Sequence, residues 1–300
     1  MSSNGDGDGD VDTEAWRQWL LDDVDMFNRS VLAVSPGERT MLRGSDLSGL
    51  DLSRADLAHC DLTGADLSGA RVGGLALSRC RLETTNLDEV ELDDEYWTPV
   101  IEQLQMLWRG ADEWNEFRSE HRPSILESAD FSGAALGPVD LSRLVLVNAR
   151  FDGADLRLAD LTGTALGSAS LIGADLTGAD LLLTSFDGAD LDQARFEGAT
   201  LRNVSVVGAR ATRTSFRSCD ITETSFNETQ FVDADFEGAT LTDVSFHGAL
   251  LERCSFENTR STNVSFGSAT GRNCRTTGAV LVSCTRDGAE SDTLSWAESP

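Results

Sequence analysis

The sequence predicts an all-β solenoid, a chain that coils around a filled axis and repeats itself every twenty residues. Three observations predict this fold. An aliphatic or aromatic residue recurs at every fifth position, a small residue commonly stands two positions before it, and like side chains recur at intervals of twenty. A helix repeats at about 3.6 residues and a strand at about 2, so a period of five fits neither element alone. Such repeats form stacks in which each unit contacts only its neighbours.

The fivefold pattern occurs in two arrays. The first occupies residues 41–93 and has aliphatic residues at ten central positions from Leu47 to Leu92. The second occupies residues 125–287, and 28 of its 32 central positions from Leu126 to Leu281 hold Leu, Phe, Ile or Val. The short array holds only two and a half coils and buries little apolar surface, which favours stacking or close packing of this array on the rest. Two separate solenoids, each with its own helical cap, are the alternative.

The twenty-residue period is visible without any reference to other proteins. Phe196, Phe216, Phe236 and Phe256 are spaced by twenty, and Phe226, Phe246 and Phe266 form a second series. Rings that recur in this way are expected to stack on successive coils, about 4.8 Å apart, which is the spacing of neighbouring strands.

Runs such as Ala65–Gly69 and Ala174–Gly178 read Ala-Asp-Leu-x-x. They resemble the unit of the pentapeptide repeat family, and the resemblance extends over about 210 of the 300 residues. It implies a right-handed quadrilateral β-helix with four repeats, about 20 residues, in each coil. It also implies that the central Leu or Phe and the small residue two positions earlier point inward.

The ends of the arrays need caps, because a solenoid end exposes apolar surface and unpaired backbone groups. Residues 13–40 are predicted to form an N-terminal helical cap, since their apolar residues fall on a helical stripe: Trp16, Trp19, Leu20, Val24 and Phe27. Residues 1–12 are rich in Gly and Asp, which predicts a disordered acidic tail. Residues 288–300 are predicted to form a C-terminal cap or tail.

Residues 94–124 interrupt the repeats and are predicted to be a helical insertion or cap. Three of the six tryptophans of the chain lie here, Trp97, Trp108 and Trp114, on a helical pattern that is interrupted near Gly110. The stretch that contains Trp114, Asn115 and Arg118 resembles the helical lead-in that precedes repeat arrays in the family. The tryptophans are interpreted either as cap packing or as an exposed helical patch for a partner.

The net charge is −27, from 51 acids and 24 bases, and every base is an arginine. So acidic a surface repels phosphate groups and therefore argues against direct nucleic acid binding. A basic partner, adaptation to high salt and simple solubility all remain compatible with the charge. No run of 18 apolar residues and no signal peptide is present, so we expect a cytoplasmic protein without a membrane span.

Acidic residues immediately before the central positions are predicted to form outward-facing columns. The candidate partner-binding acidic face consists of residues from two such columns: Asp140, Asp160, Asp180 and Asp220 on one, and Asp155, Asp175 and Asp235 on the other. Ser185, Ser205, Ser225, Ser245 and Ser265 are predicted to form a neutral column. An aspartate at this position can also serve the fold alone, by accepting a hydrogen bond from nearby backbone.

The sequence offers no constellation typical of catalysis. A filled axis leaves no concave site, and His59, His121 and His247 lack a nucleophile or carboxylate at a meaningful spacing. The six cysteines stand two residues before central positions, which predicts reduced core thiols without metal-ligand spacing. We therefore expect no enzyme activity, no cofactor and no metal.

These observations predict a non-enzymatic protein-interaction scaffold that presents an acidic β-helix surface. The family resemblance implies an alternative, because some members mimic DNA and bind a type II topoisomerase, inhibiting or protecting gyrase. In that case the partner is a basic DNA-binding surface such as that of gyrase. A monomer and a homodimer both remain open.

Overall fold

A computed structural model describes residues 13–35, 39–122 and 126–291, with side chains over 15–35, 39–122 and 126–289. The predicted acidic tail (1–12) and most of the predicted C-terminal segment (288–300) lie outside the described residues. The chain divides into two compact units, Met1–Arg109 and Gly110–Pro300. The boundary is at Gly110, whose φ of 126° is a left-handed value that side chains rarely adopt. The single insertion predicted at 94–124 is thus divided between the units.

The first unit contains, in chain order, α1 (Thr13–Asp22), α2 (Val24–Leu32), β1 (Arg71–Val72), α3 (Gly74–Ser78), β2 (Glu91–Leu92) and α4 (Trp97–Arg109). Strands β1 and β2 pair in parallel, with Arg71 opposite Glu91. Single parallel bridges continue this twenty-residue register through the array, as between Asp46 and Asp66 and between Asp66 and Asn86. The short array therefore forms coils of its own.

Helices α1 and α2 lie on the first coil of this unit, as the stripe of apolar residues predicted. Phe27 and Val31 of α2 are completely buried. Asn28 accepts a hydrogen bond from the amide of Asp56 at 2.7 Å and donates one to the carbonyl of Arg54 at 3.0 Å. The helical pair therefore supplies partners to backbone groups that the end of a solenoid would otherwise leave unpaired.

Helix α3 replaces a regular repeat, which the sequence pattern did not predict. Leu77 nevertheless stays fully buried, and the register is regained at the bridge between Asp61 and Arg81. Helix α4 covers the last coil with one apolar face, and Gln105 donates to the carbonyl of Thr85 at 3.3 Å. The buried residues of α4 are Val100, Ile101, Gln103, Leu104 and Leu107.

The second unit is a right-handed quadrilateral β-helix preceded by one helix, α5 (Ala111–Glu120). Two faces become five-stranded parallel sheets, ordered β12-β10-β8-β6-β4 and β11-β9-β7-β5-β3, and the other faces are formed by single parallel bridges. The strands are β3 (Thr200–Arg202), β4 (Arg210–Thr212), β5 (Asp220–Thr222), β6 (Gln230–Val232), β7 (Thr240–Thr242), β8 (Leu250–Glu252), β9 (Arg260–Thr262), β10 (Thr270–Arg272), β11 (Val280–Val282) and β12 (Glu290–Ser291).

Phenylalanine rings fill the axis of the second unit in files, as the spacing predicted. The ring centroids of Phe196 and Phe216 are 4.9 Å apart, those of Phe216 and Phe236 5.0 Å, and those of Phe236 and Phe256 4.9 Å. Their planes deviate from parallel by 9° or less. Each of the four side chains is at most 1 % exposed, so the axis is filled along this file.

Buried threonines and cysteines at the small-residue position tie each coil to the one before it. The hydroxyl of Thr164 donates to the carbonyl of Leu141 at 2.8 Å, and the thiol of Cys219 donates to the carbonyl of Phe196 at 2.8 Å. Donor and acceptor are 23 residues apart in both bonds, so each bond joins one coil to the preceding coil. The cysteines are therefore more than small apolar residues, because a thiol can also donate a weak hydrogen bond.

Polar residues just after a central position make a second kind of link between coils. The carboxylate of Asp187 accepts hydrogen bonds from the hydroxyl of Ser205 at 2.5 Å and from the amide of Val207 at 2.9 Å. The side-chain oxygen of Asn227 accepts equivalent hydrogen bonds from the hydroxyl of Ser245 at 2.6 Å and from the amide of His247 at 3.0 Å. These side chains fasten one corner of the coil to the corner that follows.

Helix α5 closes the N-terminal end of the second unit. The indole nitrogen of Trp114 donates to the carbonyl of Asp140 at 2.6 Å, and Asn115 accepts from the amide of Asp140 at 2.7 Å. Arg118 donates to the carbonyl of Ser142 at 2.6 Å. The residues that resemble a family lead-in therefore supply hydrogen-bond partners to backbone groups of the first coil, which is the role of a cap.

Candidate functional site

The predicted acidic residues lie in two columns on neighbouring faces of the second unit, one interrupted by Thr200 and the other by Arg195 and Ser215. We call residues 140, 160, 180, 200 and 220 the Asp160 column, and residues 155, 175, 195, 215 and 235 the Asp155 column. Successive members of each column pair directly in parallel register. Neighbouring carboxylates in a column are therefore one strand spacing apart, about 4.8 Å.

Six of the seven column aspartates also support their own corner of the coil by accepting a backbone hydrogen bond, and Asp220 accepts one from the hydroxyl of Thr222 instead. The carboxylate of Asp160 accepts a hydrogen bond from the amide of Thr162 at 2.9 Å, and that of Asp180 accepts from the amide of Leu182 at 3.1 Å. The same bond, from the residue two positions later, recurs at Asp155 and Asp175. The conformational use of aspartate foreseen from the sequence is present, and it occupies only one lone pair of each carboxylate.

The two columns differ in their ion pairs. Every aspartate of the Asp155 column lies beside an arginine, in the pairs Asp155–Arg157 at 2.6 Å, Asp175–Arg195 at 3.3 Å and Asp235–Arg217 at 2.8 Å. Hydrogen bonds from Arg157 hold the pKa of the Asp155 carboxyl below its usual value. The charge of the Asp155 column is thus largely balanced by arginines of the same unit.

The Asp160 column keeps its charge unbalanced over most of its length. Its first member, Asp140, lies 3.5 Å from Arg118 of the cap helix, which also donates to the carbonyl of Ser142 in the first coil. Within the described residues, no arginine comes within 4.0 Å of the carboxylates of Asp160, Asp180 or Asp220. These three side chains are exposed. The column therefore presents three carboxylates without an ion pair, those of Asp160, Asp180 and Asp220, with Thr200 between the last two.

Two exposed leucines border these carboxylates on opposite sides. Leu158 stands at the corner before Asp160 and is 68 % exposed, and Leu183 stands at the corner after Asp180 and is 60 % exposed. Leu158 reaches over the corner of the next coil, because a Cβ built on Gly178 would come within 2.9 Å of its Cδ2 atom. A row of carboxylates with apolar residues at its rim is suited to a partner surface that mixes basic and apolar side chains.

Comparison with known proteins identifies the family. The model described as pentapeptide repeats (8 copies) matches residues 39–74, 124–163 and 166–205, and the model described as pentapeptide repeat region matches residues 189–266. The chain is a pentapeptide-repeat protein. No curated protein sequence matches it significantly.

Solved structures of pentapeptide-repeat proteins are similar to this chain. HetL, which is involved in heterocyst differentiation regulation in the cyanobacterium Nostoc, has a TM-score of 0.52 and 21% identity, over 87% of this chain and 92% of its own. QnrB1, a plasmid-mediated fluoroquinolone resistance protein, has a TM-score of 0.46 and 16% identity, over 79% of this chain and 87% of its own. A protein of the Arabidopsis thaliana thylakoid lumen is 35% identical over 32% of this chain and 66% of its own, with a TM-score of 0.31.

The three tryptophans of the predicted helical patch have different environments in this pentapeptide-repeat protein. Trp114 is completely buried and hydrogen-bonded to the first coil of the second unit, so its assignment to an exposed patch is wrong. Trp97 and Trp108 belong to the first unit and are half-buried. Trp108 lies under the guanidinium of Arg81, 5.1 Å from the ring centroid. The ring of Trp97 contacts that of Tyr96, which is 55 % exposed.

An open cleft lies beside the end of α5. It has a volume of about 630 Å³ and is lined by three arginines, Arg118, Arg122 and Arg143, together with His121 and Asp160. The imidazole of His121 stacks on Phe117 at 4.7 Å. Within the described ranges no cluster of His, Cys, Asp or Glu could hold a metal ion. No helix of those ranges is long and apolar enough to cross a membrane.

The six cysteines are all free thiols. Burial raises the pKa of Cys60 and of Cys219 to about 12. A thiol reacts as its thiolate, so these two side chains are expected to be unreactive toward thiol reagents at neutral pH. Cys219 also makes the link between coils described above, through its bond to the carbonyl of Phe196.

Proposed function

We propose that this pentapeptide-repeat protein is a non-enzymatic interaction scaffold whose Asp160 column binds a basic surface of a protein partner. The observation that carries the proposal is the contrast between the two columns. Asp155, Asp175 and Asp235 are paired with arginines of the same unit, whereas Asp160, Asp180 and Asp220 have no such pair within the described residues. Free carboxylates in fixed register are available to steer and orient a basic partner.

The charge density of the second unit favours a partner protein with a local basic strip over a partner whose surface binds duplex DNA. Residues 126–289 hold 22 acids and 13 arginines, a net charge of −9. About eight coils at a spacing of about 5 Å make a rod of about 40 Å, or one net negative charge per about 4 Å. Duplex DNA carries one per about 1.7 Å. DNA mimicry toward gyrase is therefore the second candidate, supported by the regular spacing of the carboxylates rather than by their number.

The test compares two triple variants with the same change in net charge. The first is Asp160→Asn, Asp180→Asn and Asp220→Asn, and the matched control is Asp155→Asn, Asp175→Asn and Asp235→Asn. Asparagine keeps the side-chain oxygen that accepts the corner hydrogen bond, so both variants should fold. A partner is first captured by the wild-type protein from its native cell extract and identified by mass spectrometry. Its affinity for all three proteins is then measured by calorimetry.

We expect the Asp160-column variant to lose at least about tenfold in affinity and the control to lose little, with binding weakened by salt. Equal losses in the two variants would show that net charge alone matters and would contradict the proposal. A gyrase supercoiling assay at low salt distinguishes the second candidate. Inhibition or protection of gyrase by micromolar protein, abolished in the Asp160-column variant, would favour DNA mimicry.

A further inference from the structure

A second exposed surface lies on the first unit, where α3 meets the start of α4. We call Leu75, Tyr96 and Trp97 the Tyr96 patch. Leu75 is 48 % exposed and Tyr96 is 55 % exposed, and Trp97 is half-buried beside them. Large apolar side chains that cluster at the surface, with aromatic rings among them, are typical of protein-binding sites.

Close packing holds the patch in place. A Cβ built on Gly74 would come within 2.1 Å of the Trp97 ring, so the indole lies directly on the backbone of α3. The rings of Tyr96 and Trp97 meet edge to face, with centroids 5.1 Å apart. The amide of Tyr96 donates to the carboxylate of Asp94 at 2.9 Å, which orders the turn before α4. The aromatic rings are therefore presented on a rigid support.

Acidic residues surround the patch. Six of the eight residues in 88–95 are Asp or Glu and none is basic. The carboxylate of Asp93 accepts a hydrogen bond from the amide of Gly74 at 2.8 Å, which places it against α3 beside the patch. Among the described residues, none of these six acids forms an ion pair. Their charge is therefore available to a ligand.

We infer that the Tyr96 patch binds an arginine-rich segment of a protein partner, whose guanidinium groups stack on the aromatic rings and bond to the adjacent carboxylates. The surroundings select this chemistry. A planar guanidinium can lie on an aromatic face and bond a carboxylate with its edge, whereas a lysine ammonium is a compact, strongly hydrated charge. The local negative charge repels anionic lipid surfaces and phosphate groups. A second copy of this chain is disfavoured by its own charge of −27.

This surface belongs to the first unit and consists of residues different from those of the Asp160 column. The binding of an arginine-rich segment here therefore goes beyond the proposed function. A preference for arginine over lysine distinguishes stacking on the rings from simple attraction between charges, since both peptides carry the same charge.

The test measures the binding of fluorescein-labelled nona-arginine and nona-lysine to the full chain by fluorescence anisotropy at 0.15 M salt. Wild-type protein should bind nona-arginine about two- to fivefold more tightly than nona-lysine for each stacked arginine. Tyr96→Ala should abolish this preference and Tyr96→Phe should retain it. Val282→Ala, which truncates a side chain of the second unit that is 50 % exposed, is the matched control and should leave the preference unchanged.

Three outcomes would overturn the inference. The first is equal affinity of the wild-type protein for the two peptides, and the second is an undiminished preference in Tyr96→Ala. The third is loss of the preference in the Asp160-column triple variant, because the arginine peptide would then be bound by that column. In that last case the proposed function would stand and only the Tyr96 patch would be excluded. Thermal unfolding of each variant checks that the fold is retained.

Discussion

Truncation of Phe236 should reveal how much of the stability of the second unit is stored in its files of stacked rings. Phe236 is fully buried and stacks on Phe216 at 5.0 Å and on Phe256 at 4.9 Å. Phe236→Ala removes a large core side chain, which costs about 3–5 kcal/mol. Phe236→Leu refills most of the space and loses ring contacts, of which the two stacked ones contribute most, at about 0.5–1.5 kcal/mol each. The expected costs therefore differ by about 2 kcal/mol.

The assay is hydrogen exchange of the native protein, because coils in a solenoid contact only their neighbours and a core defect weakens protection locally. Protection should fall most in the coils that contain Phe216 and Phe256, and less in the terminal coils of the same unit. Leu183→Ala, at an exposed leucine, should change stability by no more than about 0.5 kcal/mol. A cost below about 1 kcal/mol for Phe236→Ala, or equal costs for the alanine and leucine variants, would refute the reasoning.

Three further experiments probe the hydrogen bonds between coils, the cap helix and the buried thiols. Asp187→Ala removes the acceptor of two hydrogen bonds from the next coil, including that of Ser205. It should lower the free energy of unfolding, measured in urea, by about 1–3 kcal/mol. Asp187→Asn keeps an acceptor oxygen and should cost less, and equal costs for the two variants would contradict the assignment. Trp114→Phe keeps the ring but leaves the carbonyl of Asp140 without its indole donor, so thermal unfolding should begin at a lower temperature; an unchanged midpoint would count against the cap. Cys219, whose pKa burial raises to about 12, should react with a thiol reagent at pH 8 only in urea, and rapid native labelling would contradict its burial.

The repeat could be predicted from the sequence because one physical requirement recurs at every coil. Each coil must place apolar side chains on the axis and a small residue beside them, so the period of five appears directly in the letters. The register of twenty follows from like residues such as Phe196 and Phe216. Helix α3 could not be predicted in this way, because Leu77 keeps the fivefold spacing while the backbone around it is helical. The spacing of central residues does not reveal the path of the chain between them.

The candidate surfaces were only partly predictable. The columns followed from the period, and so did the outward direction of Asp160 and Asp155. Which column keeps free carboxylates did not, because ion pairing depends on where long arginine side chains such as Arg217 reach across corners and coils. The burial of Trp114 was likewise open, since a tryptophan on a helical stripe can face the coil or the solvent. Tyr96 carried no repeat signal and was recognised only once its exposure and its neighbours were known.

A disulfide-formation experiment tests the central claim, that residues twenty apart lie side by side on successive coils. Ser205 and Ser225 pair directly in parallel, whereas Ser215 lies in the Asp155 column on a different face. Neighbouring strands bring Cα atoms to about 4.8 Å, within the range that a disulfide spans. Mild oxidation of Ser205→Cys/Ser225→Cys should therefore give an intrachain disulfide, seen by mass spectrometry of a tryptic digest. Ser205→Cys/Ser215→Cys should give none, and a cross-link in that variant but not in the first would contradict the coil.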